Sequence, residues 1–253
     1  MSIVNKKILL CSDNNQGGNN QGGGNQGGTA PPPNDANAPD TEPEANDDPA
    51  ADAVSDPFIN PFEDISADAW YYDYVGYAYI NGLMTGTSTE PMLFAPQMTV
   101  TRGMIVTVLY RLAEKNRIED EDGEDEGAGS NSQFADVPEG AWYYDAVTWA
   151  AANGIANGIG GGMFAPAASI TRQDLATMLD NYASRMGIAL PETAEYQGFL
   201  DEADIADYAK EAIGRLFAAG VISGRPGNVF GPQGEATRAE LAAMLSRFAD
   251  AMQ

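Results

Sequence analysis

Three arginines occupy repeated positions, each directly after a threonine and at the first position of a predicted helix. The pairs are Thr101-Arg102, Thr171-Arg172 and Thr237-Arg238. The first turn of a helix has unpaired N–H groups and the positive end of the helix dipole, and both favour an anion. A guanidinium can also hold a carboxylate through two parallel hydrogen bonds. The sequence therefore predicts three candidate carboxylate sites.

The helices that would carry these arginines are predicted from apolar residues that recur at helical spacing and align without a gap. They are Ile105, Val108, Leu109, Leu112 and Ala113; Leu175, Met178, Leu179, Tyr182 and Ala183; and Leu241, Met244, Leu245, Phe248 and Ala249. Thr237-x-x-Glu240 matches a capping box and Thr171-x-x-Asp174 resembles one, whereas Met104 takes the third position in the first helix. The start of that first helix is thus less well specified.

Another helix is predicted before each of these, with an apolar stripe that ends at a glycine able to take a left-handed backbone. The stripes are Val75, Ala78, Tyr79 and Gly82; Val147, Ala150, Ala151 and Gly154; and Ile213, Leu216, Phe217 and Gly220. The pentapeptide AWYYD, at residues 69–73 and 141–145, marks the start of two of them.

The two helices and the loop between them form a unit that occurs three times, at residues 62–113, 134–183 and 199–249. Since a unit of about 50 residues buries too little surface to be secure alone, the three are expected to share one core. The predicted fold is mainly α, with three helix-loop-helix repeats in a pseudo-threefold bundle. The predicted divisions are a disordered low-complexity linker (1–57), repeat 1 (58–116), an acidic linker (117–131), repeat 2 (132–187), a linker (188–198) and repeat 3 (199–253).

Composition excludes several functions. A formal net charge of −24 disfavours nucleic acid and anionic membrane surfaces. The chain has no histidine and one cysteine, Cys11, which rules out histidine-dependent catalysis, histidine metal ligands and an intrachain disulfide. No stretch is long and apolar enough to span a bilayer. The N-terminus lacks an evident export signal. We therefore expect either that the chain is the tail of a longer surface protein or that its gene start has been placed too late.

Repeat 1 contains the motif residues Phe62-x-Asp64, Trp70, Gly82-(x)3-Gly86, Phe94-x-Pro96 and Thr101-Arg102. Repeats 2 and 3 carry the same pattern, except that Tyr208 replaces the tryptophan in repeat 3. With this pattern the repeats resemble S-layer homology (SLH) modules, which anchor bacterial surface proteins to the cell wall. The resemblance implies a location in the cell wall or S-layer of a bacterium. It also implies inter-repeat grooves that hold a secondary cell-wall polysaccharide, often one bearing pyruvate ketals, with other S-layer subunits as possible partners.

Under this resemblance four residue types are candidates for glycan binding: arginines for the acid group, aspartates for hydroxyls, aromatics for sugar faces, and glycines for close approach to the backbone. They are Arg102, Arg172 and Arg238; Asp64, Asp136 and Asp201; Trp70, Trp142 and Tyr208; and Gly86, Gly158 and Gly224. Structural alternatives stay open. Each arginine can pair with the aspartate of its own repeat, the tryptophans can belong to the core, and each aspartate can cap the first helix.

Calcium binding, glycoside hydrolysis and a purely structural lattice role are the alternatives to anchoring. The acidic run at 119–126 has the wrong spacing for an EF-hand, because Ile118 and Gly129 stand where acids are needed. A glycoside hydrolase would need two paired carboxylates, but the acids lie in linkers or at helix starts. A lattice or interaction module without glycan affinity remains the main alternative. No catalytic residues, cofactor or metal are predicted.

Overall fold

The computed structural model describes residues 58–118 and 132–252. Its elements are α1 (Tyr72–Ile80), β1 (Ser88–Thr89), β2 (Met92–Leu93), α2 (Arg102–Ile118), α3 (Tyr144–Ala152), α4 (Arg172–Arg185), α5 (Asp207–Ala218) and α6 (Arg238–Ala251), with a 3₁₀ turn at Glu202–Asp204. The strands β1 and β2 form a small antiparallel hairpin that pairs Ser88 with Leu93. The predicted mainly α architecture is confirmed.

Two predicted segments fall wholly or largely outside the described residues. The linker at 1–57 lies entirely outside them. The helix α2 continues to Ile118, inside the segment 117–131 predicted as an acidic linker, and the remainder of that segment with the acidic run is not described. Within the described part of the chain, no helix is long and apolar enough to cross a membrane.

The helices pack in pairs that join different repeats. The second helix of each repeat lies against the first helix of the next, so that α2 packs on α3 and α4 packs on α5. The last helix, α6, packs on α1 and closes the ring between the C-terminal and N-terminal repeats. Each repeat thus completes the core of its neighbour, as expected for units too small to be stable alone.

A triangle of backbone hydrogen bonds links the three repeats just before their second helices. The amide of Val100 donates to the carbonyl of Ala236 at 2.8 Å, Ala236 donates to Ile170 at 3.0 Å, and Ile170 donates back to Val100 at 2.9 Å. Because these segments satisfy one another's polar backbone groups, they can be buried together at the centre. The arrangement gives the bundle its pseudo-threefold symmetry.

The threonine caps place the second helices as predicted. Thr237 and Glu240 form a complete capping box, and the side chain of Thr171 accepts the amide of Asp174. In repeat 1 the hydroxyl oxygen of Thr101 still accepts the amide of Met104 at 3.3 Å, while the thioether takes the place of the carboxylate. All three helices therefore begin at the arginine.

Large apolar side chains fill the centre. The phenylalanines of the Phe-x-Asp and Phe-x-Pro motifs are all buried: Phe62, Phe94, Phe134, Phe164, Phe199 and Phe230. Burial of such a side chain contributes roughly 1.5–3 kcal/mol. The first helices are followed, as predicted, by Gly82, Gly154 and Gly220, whose φ angles of +68°, +66° and +73° suit glycine.

Candidate functional site

Each of the three arginines reaches from the start of its helix to the Phe-x-Pro loop of the following repeat. The Nε of Arg238 donates to the carbonyl oxygen of Phe94 at 2.8 Å, and its guanidinium lies 4.4 Å from the centre of that ring. The equivalent bonds, Arg102 to Phe164 and Arg172 to Phe230, measure 2.9 and 2.8 Å. These side chains therefore join one repeat to the next.

The aspartates hold the same loops from the other side. Asp136 accepts the amides of Phe164 and Ala165 at 2.8 and 2.7 Å. Asp64 and Asp201 make the same two bonds in their own repeats. The residue after each phenylalanine has a left-handed backbone, with φ of +56° at Ala95 and +59° at Ala165. That conformation turns two successive amides toward one carboxylate.

These contacts bear on two of the structural alternatives. Each arginine bonds a backbone carbonyl of the next repeat, so it joins two repeats. The aspartates do not cap the first helices, because the N-cap positions are Tyr71, Tyr143 and Ala206, none with a side-chain cap bond. The sequence could not distinguish these cases, because every residue has a backbone carbonyl and residue types do not show which one accepts a bond.

The arginines are more enclosed than the carboxylate-site hypothesis expected. Arg172 and Arg238 are only 3% and 6% exposed, and Arg102 is partly buried. Burial lowers the pKa of Arg238 to about 10, so the side chain stays charged at neutral pH. The primary role of each arginine is to connect repeats, and any ligand must use the part of the guanidinium that faces a groove.

The candidate aromatics lie outside the core, so the interpretation of the two tryptophans as core residues is wrong. Trp142 is 64% exposed, Tyr208 57% and Trp70 38%. Trp142 leans edge-on against Tyr143, with ring centres 5.1 Å apart, which holds the indole at the surface. Exposed, supported aromatic faces of this kind are suited to contact with a ligand.

The second glycines are required by packing within the protein. A Cβ at Gly158 would lie 2.6 Å from the Phe134 ring and 2.7 Å from the carbonyl oxygen of Met163. A Cβ at Gly224 would lie 2.9 Å from the Phe199 ring, and one at Gly86 would lie 3.2 Å from the Phe62 ring. The close approach predicted for a ligand is therefore already made by the motif phenylalanine, and Gly86 also lines a sizeable cavity.

That cavity, here called the Arg238 groove, has a volume of about 440 Å³, within the usual range for small-molecule sites. All three repeats contribute to it. Its polar and rim residues are Arg238, Thr85, Thr87, Thr107, Arg111 and Trp142. Two are cationic, three carry hydroxyls and none of the described lining residues is acidic. The arrangement offers positive charge, hydroxyl groups and an aromatic face together.

The equivalent space around Arg172, here called the Arg172 groove, is almost filled. Its volume is about 20 Å³, roughly that of one water by the same measure. Glu240 occupies the centre, where its Oε1 accepts from Arg172 at 2.6 Å and from Arg225 at 2.7 Å. Arg247 and Trp70 also line this space. The protein's own carboxylate sits where an acidic ligand would bind.

The third space, the Arg102 groove, also contains a carboxylate. Arg102 donates to the carbonyls of Phe164 and Asn157, and Asp174 acts electrostatically on its guanidinium. Asp174 in turn accepts the hydroxyl of Tyr208. Burial lowers the pKa of Arg102, while Asp174 and Asp136 oppose that effect. Tyr208, the candidate aromatic of this groove, is therefore hydrogen-bonded to Asp174.

Two further functional candidates, Arg111 and Arg225, lie outside the motifs that the sequence repeats. Arg111 is exposed, donates to the carbonyl of Leu83 at 3.1 Å and lines the Arg238 groove. Arg225 directly follows the second glycine of repeat 3, where Thr87 stands in repeat 1. Alignment of the repeats could have found Arg225, because its counterparts are Thr87 and Ile159. Arg111 differs in that repeat 3 has a second arginine, Arg247, at the same position.

A separate cavity of about 510 Å³ lies between α5 and the segment 188–198 that was predicted as a linker. That segment is attached to the end of α5, since Thr193 and Ala194 both donate to the carbonyl of Ala218. The cavity mixes acidic and basic side chains and contains none of the motif residues. Among the described residues, no group of three acidic, cysteine or histidine side chains is arranged to hold a metal.

Three segments of the chain match the S-layer homology domain: residues 61–103, 133–176 and 198–242. The chain belongs to this family, which confirms the resemblance seen in the sequence. Similar proteins include Exoglucanase XynX of Acetivibrio thermocellus, 32% identical over 73% of this chain, and a Cellulosome-anchoring protein of the same species, 28% identical over 61%. The Surface-layer 125 kDa protein of Lysinibacillus sphaericus is 29% identical over 61%.

The chain spans 16%, 33% and 12% of the lengths of these three relatives. The shared part is thus a minor fraction of each. Relatives named as S-layer, surface-layer or cellulosome-anchoring proteins agree with the predicted location at the outer surface of a bacterium.

Proposed function

We propose that this chain is a non-catalytic module that anchors a bacterial surface protein to the cell wall by binding an acidic, pyruvylated secondary polysaccharide between its repeats. The observation that carries the proposal is the Arg238 groove, where cations, hydroxyls and an exposed indole surround about 440 Å³. A carboxylate on the polysaccharide would meet the guanidinium, and a sugar face would meet Trp142.

The strongly negative net charge does not oppose this ligand. Charges farther away than a Debye length of about 8 Å are largely screened at physiological ionic strength. The groups that line the groove therefore decide the local potential, and its charged lining residues, Arg111 and Arg238, are both positive. The affinity of such a site is expected to fall as salt is added.

The aspartates support the grooves indirectly. Asp64 and Asp136 fix the Phe-x-Pro loops to which the arginines bond, while Trp142 and Trp70 line two different grooves. Glycan contact by Asp64, Asp136, Asp201, Gly158 and Gly224 remains a prediction.

A catalytic role receives less support. The relative named Exoglucanase XynX is about six times longer than the matched segment, which covers 16% of it. The family match lies in the repeats, so we attribute no hydrolytic activity to this chain. A lattice module without glycan affinity is the alternative that the experiment must separate.

Co-sedimentation with purified wall sacculi tests the proposal. The chain should pellet with intact sacculi and stay in the supernatant when the secondary polysaccharide has been chemically stripped. Equal sedimentation with both preparations would favour a lattice or peptidoglycan interaction, and sedimentation with neither would refute anchoring.

A further inference from the structure

We propose that the three grooves are not equivalent, and that the Arg238 groove alone receives the acidic saccharide while the Arg172 groove is held shut by an internal Arg225–Glu240 latch. This inference rests on the proposed function and specifies which site performs it. It predicts one acidic saccharide unit bound per chain.

The latch reproduces what an acidic ligand would do. One oxygen of Glu240 accepts from Arg172 and twice from Arg225, at 2.6, 2.7 and 3.1 Å. Its other oxygen accepts the backbone amide of Thr237 at 2.9 Å. Both carboxylate oxygens are therefore occupied, and an incoming carboxylate would have to displace a partly buried, multiply bonded group.

The Arg238 groove lacks both halves of this latch. Thr87 stands where the third repeat has Arg225, and Met104 stands where it has Glu240. With neither side chain present, the space next to the guanidinium of Arg238 stays open. The volume of the Arg238 groove is about 440 Å³, whereas that of the Arg172 groove is about 20 Å³. Met104 also occupies the repeat position of Asp174, whose carboxylate acts on Arg102 in the Arg102 groove. The Arg238 groove therefore lacks that negative charge.

Arg111 adds a second cation on the open side. It is exposed at the groove wall. The corresponding residue near the Arg172 groove, Arg247, is instead directed to Ser223 and Tyr74, with its guanidinium 5.0 Å from the tyrosine ring centre. The arginines of the Arg238 groove bond backbone carbonyls, and none of the described lining residues there is acidic. In the Arg172 groove, by contrast, Arg172 and Arg225 are paired with the carboxylate of Glu240.

Two of the three tryptophans of the chain allow the Arg238 groove and the Arg172 groove to be observed separately. Trp142 lines the Arg238 groove and Trp70 lines the Arg172 groove. Trp149 packs against Tyr110 and Tyr182, away from both lists of lining residues, and serves as an internal reference. Indole N–H signals of the ¹⁵N-labelled full chain can be followed while pyruvylated secondary polysaccharide, released from purified walls, is added.

The expected result is a saturable shift of the Trp142 signal, with the Trp70 and Trp149 signals unchanged. Equal shifts of Trp142 and Trp70, or a shift of Trp70 alone, would overturn the inference while leaving anchoring intact. If no signal moves and the chain also fails to sediment with sacculi, the proposed function itself is wrong. If no signal moves but the chain sediments, the ligand occupies neither groove and the inference fails.

Transplanting the latch supplies a second test. The double variant Thr87→Arg with Met104→Glu gives the Arg238 groove the residues of the Arg172 groove, a combination that the fold already accommodates. We expect at least a tenfold loss of affinity for the polysaccharide with an unchanged melting temperature. Trp142→Ala should lose a similar amount because it removes an exposed aromatic contact, whereas the matched variant Trp70→Ala should bind normally. Undiminished binding by the latch variant would contradict the proposal.

Discussion

The carboxylate of Asp136 accepts the backbone amide of Phe164 at 2.8 Å, across 28 residues of chain. Its second oxygen accepts the next amide, and Arg102 from the preceding repeat bonds the carbonyl of the same phenylalanine. One loop is therefore held from its own repeat and from its neighbour. This pairing converts three small units into one ring.

Replacement of Asp136 by asparagine should destabilise the whole ring. Partial burial raises the pKa of Asp136, but the two amides and Arg102 outweigh it and the pKa lies below its ordinary value, so the group acts as a carboxylate. An asparagine can accept only one of the two amides and presents an N–H to the other. We expect a loss of about 1.5–3 kcal/mol in the free energy of unfolding, measured by urea denaturation. The exposed neighbour Glu139→Gln should change it by less than about 0.5 kcal/mol, and equal effects would contradict this account.

The latch should make stability depend on acid pH. Burial raises the pKa of Glu240, yet Arg172, the amide of Thr237 and Arg225 together bring it below its ordinary value of 4.5. A carboxyl whose pKa is lower in the folded state stabilises the fold fully above its unfolded pKa and loses that contribution as pH falls through the folded pKa. The stability difference between the wild type and Glu240→Gln should thus be constant near neutrality and shrink below pH about 4.5. A difference that stays constant down to pH about 3 would contradict it.

Gly158 and Gly214 should respond oppositely to alanine. A Cβ at Gly158 would lie 2.6 Å from the Phe134 ring, while a Cβ at Gly214 would meet Tyr196 at an ordinary 3.4 Å inside α5. Gly158→Ala should cost about 1–3 kcal/mol through overpacking, and Gly214→Ala should gain up to about 1 kcal/mol of helix stability. Thermal melting of the two variants gives the answer, and a shift of the same sign in both would be inconsistent with the packing described.

Loss of Arg238 should weaken the closure between the last and first repeats. Arg238 donates to Phe94 and to Thr85, both in repeat 1. Arg238→Gln keeps a polar group but removes these charged bonds, and we expect a loss of about 2 kcal/mol or more. Urea denaturation measures it, with Lys210→Gln as an exposed control expected to be near neutral. A variant as stable as the wild type would show that these bonds do not hold the ring closed.

Much of the fold followed from the sequence because the repeats report their own periodicity. The apolar stripes, the threonine caps and the terminal glycines each have a local physical cause, and the helices begin where those signals stand, as at Arg172 and Arg238. The sequence predicted that the repeats share a core, but not which helices pack together, such as α6 on α1. The spacing of apolar residues within one repeat does not show which other repeat it contacts.

The site was less predictable than the fold. Residue types identified Arg238 and Trp142, which meet in one cavity although they lie in different repeats. They could not show that the arginines bond carbonyl oxygens, or that Glu240 fills the Arg172 groove, because both depend on which repeat faces which. The sequence showed that Met104 replaces the acidic residue found at this position in the other two repeats. Its effect on the Arg238 groove could be recognised only from the structure.

The most direct test of the central claim is calorimetric titration of the chain with wall polysaccharide before and after the pyruvate ketals are removed by mild acid. We predict saturable binding of the pyruvylated polymer that weakens with added salt, and at least a tenfold loss of affinity for the neutral polymer. Equal affinity for both polymers would show that no guanidinium receives an acid group, and would contradict the account.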